Sequence, residues 1–388
     1  MSNINEGYRW RILVLVFISM LSFGLVFQSI PPVLALIIDE LGITHAQAGL
    51  LMGLFALPGI FLAILSGMLS DYYGARRIGS ISLALIVIGT AISGTADGFT
   101  ALAIGRLVAG IGALTYAVVA PQILSQWFMG KEVGLAMGFF NTGLPLGTII
   151  AFNAFGRIGI EMGWRAPILL TTAVSMATLL LFLIIYKPVP VTEKKAKAAI
   201  FTNPLKTGPG IWLVGGAWMW FNAGFIAFLT FAPDYFVSRG LGIARAGFLA
   251  SIIMFAALIL NPVIGYLSHR FGIKEVFIAV GGVLVAVLFL LIPFSGLPIL
   301  ALMVLLGVAA TLTPPSIYSL PSDILPPEKL GLGFGIITTL LNVGIVLGPY
   351  LVGLTIDVTG EFTMGFVLMA AFTFLAAPTI LVLKMTNR

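Results

Sequence analysis

Two residue types that often carry chemistry are almost missing from this chain, which has no cysteine and only two histidines. The lack of cysteine excludes disulfide bonds. The histidines, His45 and His269, fall in different predicted loops, and the sequence has no H-E-x-x-H, G-x-S-x-G or P-loop pattern. We therefore expect a protein that is not an enzyme and that uses neither a metal nor a cofactor.

Charged residues are also scarce. They make up 9% of the 388 residues, whereas hydrophobic residues make up 60%. An average soluble domain is about 25% charged, so most of this surface must face something other than water. Runs of about 20 apolar residues cross a hydrocarbon core roughly 30 Å thick, and inside lipid such runs must be helical. The composition predicts an all-α membrane protein whose main partner is the lipid bilayer.

Twelve apolar runs are long enough to span a membrane. Six lie near 10–38, 46–70, 78–96, 100–127, 131–157 and 164–187, and six near 210–238, 243–268, 274–294, 297–325, 328–357 and 362–385. The first run is too long for a cleaved signal peptide. Between the two sets lies a polar segment that contains Glu193, Lys194, Lys195, Lys197 and Lys206. We predict an N-terminal six-helix half at 1–187, a cytoplasmic linker at 188–208 and a C-terminal six-helix half at 209–388.

The basic residues predict the orientation of these spans. If both termini are cytoplasmic, fifteen of the twenty lysines and arginines lie on the inner side and four on the outer side, with Arg106 inside a span. This bias is the usual sign of topology in a multi-pass protein of the cell (inner or plasma) membrane. The net charge of +6 then reflects topology and the anionic inner leaflet rather than binding to nucleic acid.

The two sets of spans are copies of one another. The segment "GMLSDYYGARR" (67–77) recurs as "GYLSHRFGIKE" (265–275), 198 positions later, and 110–138 aligns without a gap on 307–335. "NTGLPLG" (141–147) also aligns with "NVGIVLG" (342–348), but the two segments are four residues further apart in sequence than the preceding pair. Two six-span halves in the same orientation are typical of a carrier whose site lies between them.

Two motifs carry a family resemblance. "GMLSDYYGARR" resembles the signature between spans 2 and 3 of the major facilitator superfamily, and "RLVAGIG" (106–112) resembles its span-4 motif. The resemblance covers essentially the whole chain. It implies a monomeric carrier of two six-helix halves that works by alternating access, with helices 1, 4, 7 and 10 lining the central path.

The resemblance also implies that the first signature loop docks on the cytoplasmic start of helix 11 and latches an outward-open state. From the repeat we predict two latches, Asp71 with Lys329 and Arg270 with Glu132. The basic pair of the signature, Arg76 and Arg77, lies beside the first latch. The alternative is that these are ordinary solvated loop charges, since an exposed ion pair contributes under about 1 kcal/mol.

Polar residues inside spans are candidate substrate contacts, because such groups are costly in lipid. We predict substrate contacts from these nine residues: Gln28, Arg106, Tyr116, Gln122, Asn141, Asn222, Ser316, Tyr318 and Asn342. Each could instead form a hydrogen bond between helices. Arg106 in particular lies on a stripe of small residues that is typical of a packing seam. Pro31 and Pro32 free backbone carbonyls, for which a substrate could be one partner.

No acidic residue lies centrally in a span, which argues against a cation carrier. Asp234, just after Pro233, is the best remaining candidate for a proton site. Aromatic and amide side chains with one arginine favour a small organic or inorganic anion or a polar neutral solute. The chain most resembles the branch that carries cyanate, nitroimidazole and related solutes, although Gly24 stands where cyanate-type members place an arginine. Monocarboxylate transport is equally compatible.

Two other functions are open at this point. Multidrug or hydrophobic-compound efflux is favoured by the abundance of methionine and phenylalanine, but the efflux signature of span 5 is interrupted here, where Leu144 separates Gly143 from Pro145. A solute sensor that does not transport is a more remote alternative, because the tails and linker are short.

Overall fold

The chain folds into a bundle of long helices. The computed structural model describes residues 6–128, 132–188, 207–326 and 329–386, and their regular elements are α-helices and one short 3-10 turn at Pro31–Val33. The helices of the first half are α1 (Glu6–Phe27), α2 (Leu34–Leu41), α3 (His45–Tyr73), α4 (Ala75–Gly94), α5 (Phe99–Trp127), α6 (Val133–Met162) and α7 (Arg165–Ile185). Those of the second half are α8 (Pro209–Ser238), α9 (Ile243–Phe271), α10 (Lys274–Phe294), α11 (Ile299–Ala310), α12 (Thr313–Ser319), α13 (Pro321–Ile324), α14 (Leu330–Thr359) and α15 (Phe362–Thr386).

Twelve segments of the described residues are long and apolar enough to cross a membrane, which confirms the predicted number of spans. The first span, Gly7–Leu41, is broken between α1 and α2, where Pro31 and Pro32 remove two backbone donors. The tenth span, Ile299–Ile324, is divided into α11, α12 and α13 around Pro314, Pro315 and Pro321. The remaining spans are single helices.

The helices alternate in direction, so each half has its ends on two faces of the bundle. We call the face that contains the start of α1 and the end of α15 the terminal side, and the other face the opposite side. The α3–α4 connection lies on the terminal side, and the α2–α3 connection lies on the opposite side. Most of the predicted linker at 188–208 lies outside the described residues, which include only Pro188, Thr207 and Gly208 of it.

The signature motif and its repeat adopt the same local structure. In the first copy α3 continues through Tyr73, and Gly74 alone separates it from α4 with a φ of 88°. In the second copy Gly272, with a φ of 63°, follows the end of α9. Positive φ values are accessible to glycine without steric cost, which explains why a glycine occurs at this place in both copies.

Candidate functional site

The two halves meet along two seams on the opposite side. In the α3/α14 seam, a Cβ added at Gly49 would overlap the carbonyl of Pro349, and one added at Gly353 would overlap that of His45. In the α6/α9 seam, a Cβ at Gly247 would overlap the carbonyl of Phe152. Contacts this close require glycine, because only its lack of a side chain lets the backbones approach. The opposite side is therefore closed.

The same helices are apart on the terminal side. Gly134 of α6 lies five helical turns from Phe152 on the same face, and Gly331 of α14 lies five turns from Pro349. Among the described residues, no atom would lie within 4 Å of a Cβ at either glycine. These two helix faces are in contact on the opposite side and uncovered on the terminal side. We take the space between the halves on the terminal side, which we call the cavity, as the candidate functional site.

Arg106 of α5 does not face this cavity, since its side chain is 2% exposed. Its guanidinium donates to the carbonyls of Val26 at 2.8 Å, Phe27 at 3.1 Å and Leu51 at 3.3 Å, and it stacks 4.5 Å from the ring centre of Phe55. The first two carbonyls belong to the end of α1, where the chain breaks before Pro31. This geometry favours the structural interpretation of Arg106 over substrate contact. At this break the arginine donates to both carbonyls, and Ser29 also donates to that of Val26.

The other first-half candidates are mostly covered by protein. Gln28 is 2% exposed and Tyr116 is 1% exposed, with its ring 6.0 Å from that of Phe182 of α7. Gln122 is half-buried and faces α3 near Gly67. Among the described residues, the side-chain carbonyl oxygens of Gln28 and Gln122 have no hydrogen-bond partner, so both remain available as acceptors.

In the second half, one candidate is exposed and two are enclosed. Tyr318 of α12 is 46% exposed, and its ring meets that of Trp218 of α8 edge to face at 5.8 Å. The indole N–H of Trp218 has no acceptor among the described residues. Asn222 donates to the carbonyl of Trp218 at 2.9 Å, and Ser316 is fully buried and donates to that of Leu312. The exposed ring of Tyr318 thus packs on Trp218, whose indole nitrogen is buried.

Asn141 and Asn342 are equivalent in the repeat but differ in environment. Asn342 of α14 is buried, and a Cβ at Gly59 of α3 would lie 2.6 Å from its side-chain nitrogen. Asn141 of α6 is exposed and lies three turns from Phe152 on the seam face. Asn342 therefore belongs to the α3/α14 seam, and Asn141 lies on the wall of the open cavity.

A polar cluster lies at the opposite-side end of the α3/α14 seam. The ring of His45 makes contacts of 3.2 Å from Nε2 to Asp234 of α8 and 3.0 Å from Nδ1 to Asp357 of α14. The backbone amides of His45 and Ala46 also donate to Asp357, at 2.9 and 2.8 Å. Asp234 was the one member of this cluster that we selected from the sequence.

Two polar residues of α6 and α9 were also missed. Asn153 of α6 donates to Ser251 of α9 at 3.0 Å, which is a hydrogen bond between the halves. Asn261 of α9 has a buried side-chain oxygen without a partner in the described residues. Both asparagines lie within apolar runs, so the rule that selected Asn141 could have found them.

The predicted latches are not formed in this conformation. Asp71 is exposed and has no ion pair within the described residues, and partial desolvation raises the pKa of its carboxyl above the ordinary value. Glu132 accepts from Arg9 at 2.9 Å instead of from Arg270, whose guanidinium donates to the hydroxyl of Tyr266 at 3.2 Å. The latches therefore stay a prediction for the conformation in which the terminal side is closed.

Arg76 and Arg77 have separate roles at the start of α4. Arg76 donates to the carbonyl of Leu183 in α7 at 3.2 Å, which ties the signature loop to its own half. Arg77 lies over the ring of Tyr73 at 5.8 Å from its centre. Lys274, the counterpart of Arg76 in the repeat, is buried and forms a 2.7 Å ion pair with Asp323 of α13.

Comparison with known proteins adds three findings. The family model described as Major Facilitator Superfamily matches residues 12–255 and 238–388. The chain is 24% identical to the lysosomal dipeptide transporter MFSD1 of Danio rerio over 90% of this chain and 81% of that protein. It is 25% identical to the hexuronate transporter of Bacillus subtilis (strain 168) over 87% of this chain and 86% of that protein.

A solved structure has the same fold. It is a bacterial homologue of the human lysosomal transporter Spinster in an inward-facing and occupied conformation, with a TM-score of 0.81 and 18% sequence identity. The match covers 100% of this chain and 98% of that one.

Proposed function

Because the chain belongs to the major facilitator superfamily, we propose that this membrane transporter moves a small solute by alternating access between its two halves, and that it is not an enzyme. The observation that carries this proposal is the contrast along the seam helices. They are in backbone contact at Gly49 and Gly247 on the opposite side and in open space at Gly134 and Gly331 on the terminal side. A site reached from one side at a time is what alternating access requires.

We place the terminal side in the cytoplasm of a cell (inner or plasma) membrane. The basis is the excess of basic residues on that side, fifteen of twenty by the predicted topology. The described conformation is then open to the inside. In the outward-open state, Asp71 would pair with Lys329, and Glu132 would leave Arg9 for Arg270.

The solute we propose is a small anion, above all one that bears a carboxylate. A hexuronate and a dipeptide, the solutes in the names of the two relatives, both carry this group. Arg106 donates to backbone carbonyls, so we assign recognition to neutral donors such as the hydroxyl of the exposed Tyr318. Neutral donors hold an anion less tightly than an arginine does, which suits a carrier that must also release its solute.

A second candidate has a specific observation in its favour. Trp218, Phe221 and Phe225 of α8 form a run of stacked rings with centroid separations of 5.6 and 5.5 Å, next to the exposed ring of Tyr318. Such an aromatic wall is typical of sites that bind flat apolar compounds, which is the chemistry of multidrug efflux.

Solute flux into proteoliposomes tests these alternatives. The panel consists of glucuronate, acetate, cyanate, a dipeptide and a lipophilic cation, each with an inward and an outward gradient. We expect flux of a carboxylate-bearing solute, reduced severalfold by Tyr318→Phe but unaffected by Tyr72→Phe, a matched change at an exposed tyrosine of the terminal side. Flux of the lipophilic cation alone would favour efflux. No flux, together with ligand-induced stabilisation, would favour a sensor.

A further inference from the structure

His45 lies between two acidic residues of the other half of the molecule. Its Nε2 is 3.2 Å from Asp234 Oδ2, and its Nδ1 is 3.0 Å from Asp357 Oδ1. The three residues are far apart in sequence and are brought together only because the opposite side is closed. We refer to His45, Asp234 and Asp357 as the triad.

These two contacts require a proton. A neutral imidazole has one N–H, so it can donate to only one of two carboxylates, and its other nitrogen would then face the second carboxylate lone pair to lone pair. Both contacts become hydrogen bonds when both ring nitrogens carry a proton or when one carboxyl group does. The closed triad therefore holds one proton more than a neutral histidine and two carboxylates.

Within the described part of the chain, Asp234 and Asp357 are the charged side chains in contact with the ring. Every element packed around His45 can be named: α8 contributes Asp234 and the ring of Phe231, α14 contributes Asp357, and α15 contributes the ring of Phe362. The His45 side chain is 24% exposed, so protons reach it from the opposite side. When the halves separate there, His45 becomes an ordinary surface histidine, which releases its proton near pH 6.5.

We propose that the triad is a proton-binding site whose occupation closes the opposite side of the transporter. This inference rests on the proposed alternating access and adds a ligand to it: the opposite side closes when a proton binds and opens when the proton leaves. Low pH on that side thus favours the conformation described here. High pH there favours opening, with His45 returned to water as a neutral ring.

The two acidic residues contribute differently to closure. Asp357 accepts from the first two amides of α3 as well as from the ring, so part of its contact does not depend on the protonation of His45. Asp234 contacts α3 through the His45 ring at Nε2. Asp234→Asn therefore removes one carboxylate from the proton site and leaves the helix contact with Asp357 in place.

A distance measurement tests the proposal without any solute. The chain has no cysteine, so spin labels can be placed at Met162→Cys and Leu297→Cys on the opposite side, where both side chains are exposed. A second pair, Ile184→Cys with Met385→Cys, reports on the terminal side. In lipid nanodiscs between pH 5.5 and 8.5, we expect the short opposite-side distance at low pH. The closed-to-open ratio should fall by up to tenfold per pH unit, as release of one proton requires.

The variants separate proton binding from simple packing. His45→Gln donates to one carboxylate and does not titrate, so its distances should not depend on pH. His45→Lys keeps a positive charge and should stay closed at pH 8.5. Asp234→Asn should move the midpoint to lower pH, because one carboxylate that holds the proton is gone. His269→Gln, which removes the other histidine, should respond like the unchanged protein.

Two results would overturn the proposal: a wild-type distance distribution that is constant across this pH range, or a full pH response in His45→Gln. Thermal melting of each labelled protein identifies a variant that has not folded, and Asp234→Asn then supplies the decisive comparison. If solute moves the distances but pH does not, only the proton site is wrong. If neither moves them on either side, alternating access itself is wrong.

Discussion

The α3/α14 and α6/α9 seams occupy equivalent places in the repeat and are built from different residues. The repeat offsets place His45 opposite Ile243, and Asp357 opposite Gly156. Where His45 contacts Asp357, the second seam has a contact between Ile243 and Gly156. One end of the closed interface is thus polar and can bind a proton, and its counterpart is apolar.

The seams also differ in depth. Close contacts of the α3/α14 seam run from His45 to Ile60, whose carbonyl accepts from Thr339, a distance of about 22 Å along the helix. On α9 the corresponding contacts run from Ile243 to Ser251, about 12 Å. The internal repeat therefore determines which helices pack against each other. The residues that differ between the two copies determine how each of these contacts opens and closes.

The largest effect is expected for Arg106, whose guanidinium donates to carbonyls of α1 and α3. The gapless alignment of 110–138 on 307–335 places Met303 at the position that corresponds to Arg106. Arg106→Met should remove three buried hydrogen bonds from a charged donor, at about 1.5–3 kcal/mol each. We expect a fall in melting temperature that corresponds to at least about 3 kcal/mol. Val304→Met, an exposed site one residue further on in the second half, serves as the control. An unchanged melting temperature would show that the hydrogen bonds of Arg106 do not stabilise the fold.

The seam glycines come next. Gly49→Ala places a methyl group against the Pro349 carbonyl, and Gly247→Ala places one against that of Phe152. Each should shift the opposite side toward open by about 1–3 kcal/mol, which spin labels on Met162→Cys and Leu297→Cys would record. Gly134→Ala, where there is open space, should leave the distance as it is. A response to Gly247→Ala alone would mean that the shorter seam controls closure.

Asp357→Asn should weaken the polar end of the longer seam by an intermediate amount. An amide has one carbonyl oxygen, so one of the amides of His45 and Ala46 loses its acceptor. Loss of a helix-capping acceptor costs about 0.5–2 kcal/mol, and the closed population should fall accordingly. Asp97→Asn, at an exposed acidic residue of the same side, is the matched control. An equal response of both variants would assign the effect to net charge.

The hydrogen bond of the shorter seam should contribute less. Ser251→Ala removes the acceptor of Asn153, and such bonds between membrane helices average about 0.6 kcal/mol. The expected change in the closed-to-open ratio is about threefold, measured with the same labels. Ser238→Ala, on the same side but bonded within its own helix, should have no effect. A tenfold change would mean that the shorter seam contributes as much to closure as the longer one.

The smallest effect is expected at the terminal end of α3. Asp71→Asn should destabilise the outward-open state by under about 1 kcal/mol, because it removes the proposed exposed ion pair with Lys329. The labels on Ile184→Cys and Met385→Cys measure this, with Asp39→Asn on the opposite side as the control. The raised pKa of Asp71 predicts that the same loss appears in the unchanged protein as the pH falls through that pKa. An unaltered ratio in Asp71→Asn would remove the latch from the mechanism.

Much of the fold could be read from the sequence. Apolar runs and glycine positions depend on local composition, so the twelve spans, the repeat and the helix breaks at Pro31 and Pro314 were predictable. The partners of the polar groups were not. Arg106 meets carbonyls of α1 and α3, and His45 meets residues 189 and 312 positions away. Such pairs depend on how whole helices pack and on which side is closed. Neither property can be predicted from a local sequence pattern.

The depth of the α3/α14 seam has an electrical consequence. It is about 22 Å long, beside a hydrocarbon layer roughly 30 Å thick, whereas the cavity below it faces the terminal side. In a polarised membrane most of the voltage therefore falls across the packed glycine contacts and little across the cavity. An anion that enters from the terminal side reaches its site almost without crossing the field, so its affinity should hardly change with voltage. The voltage should act instead on the step in which the seam opens, at about 2.3 kcal/mol per elementary charge and 100 mV.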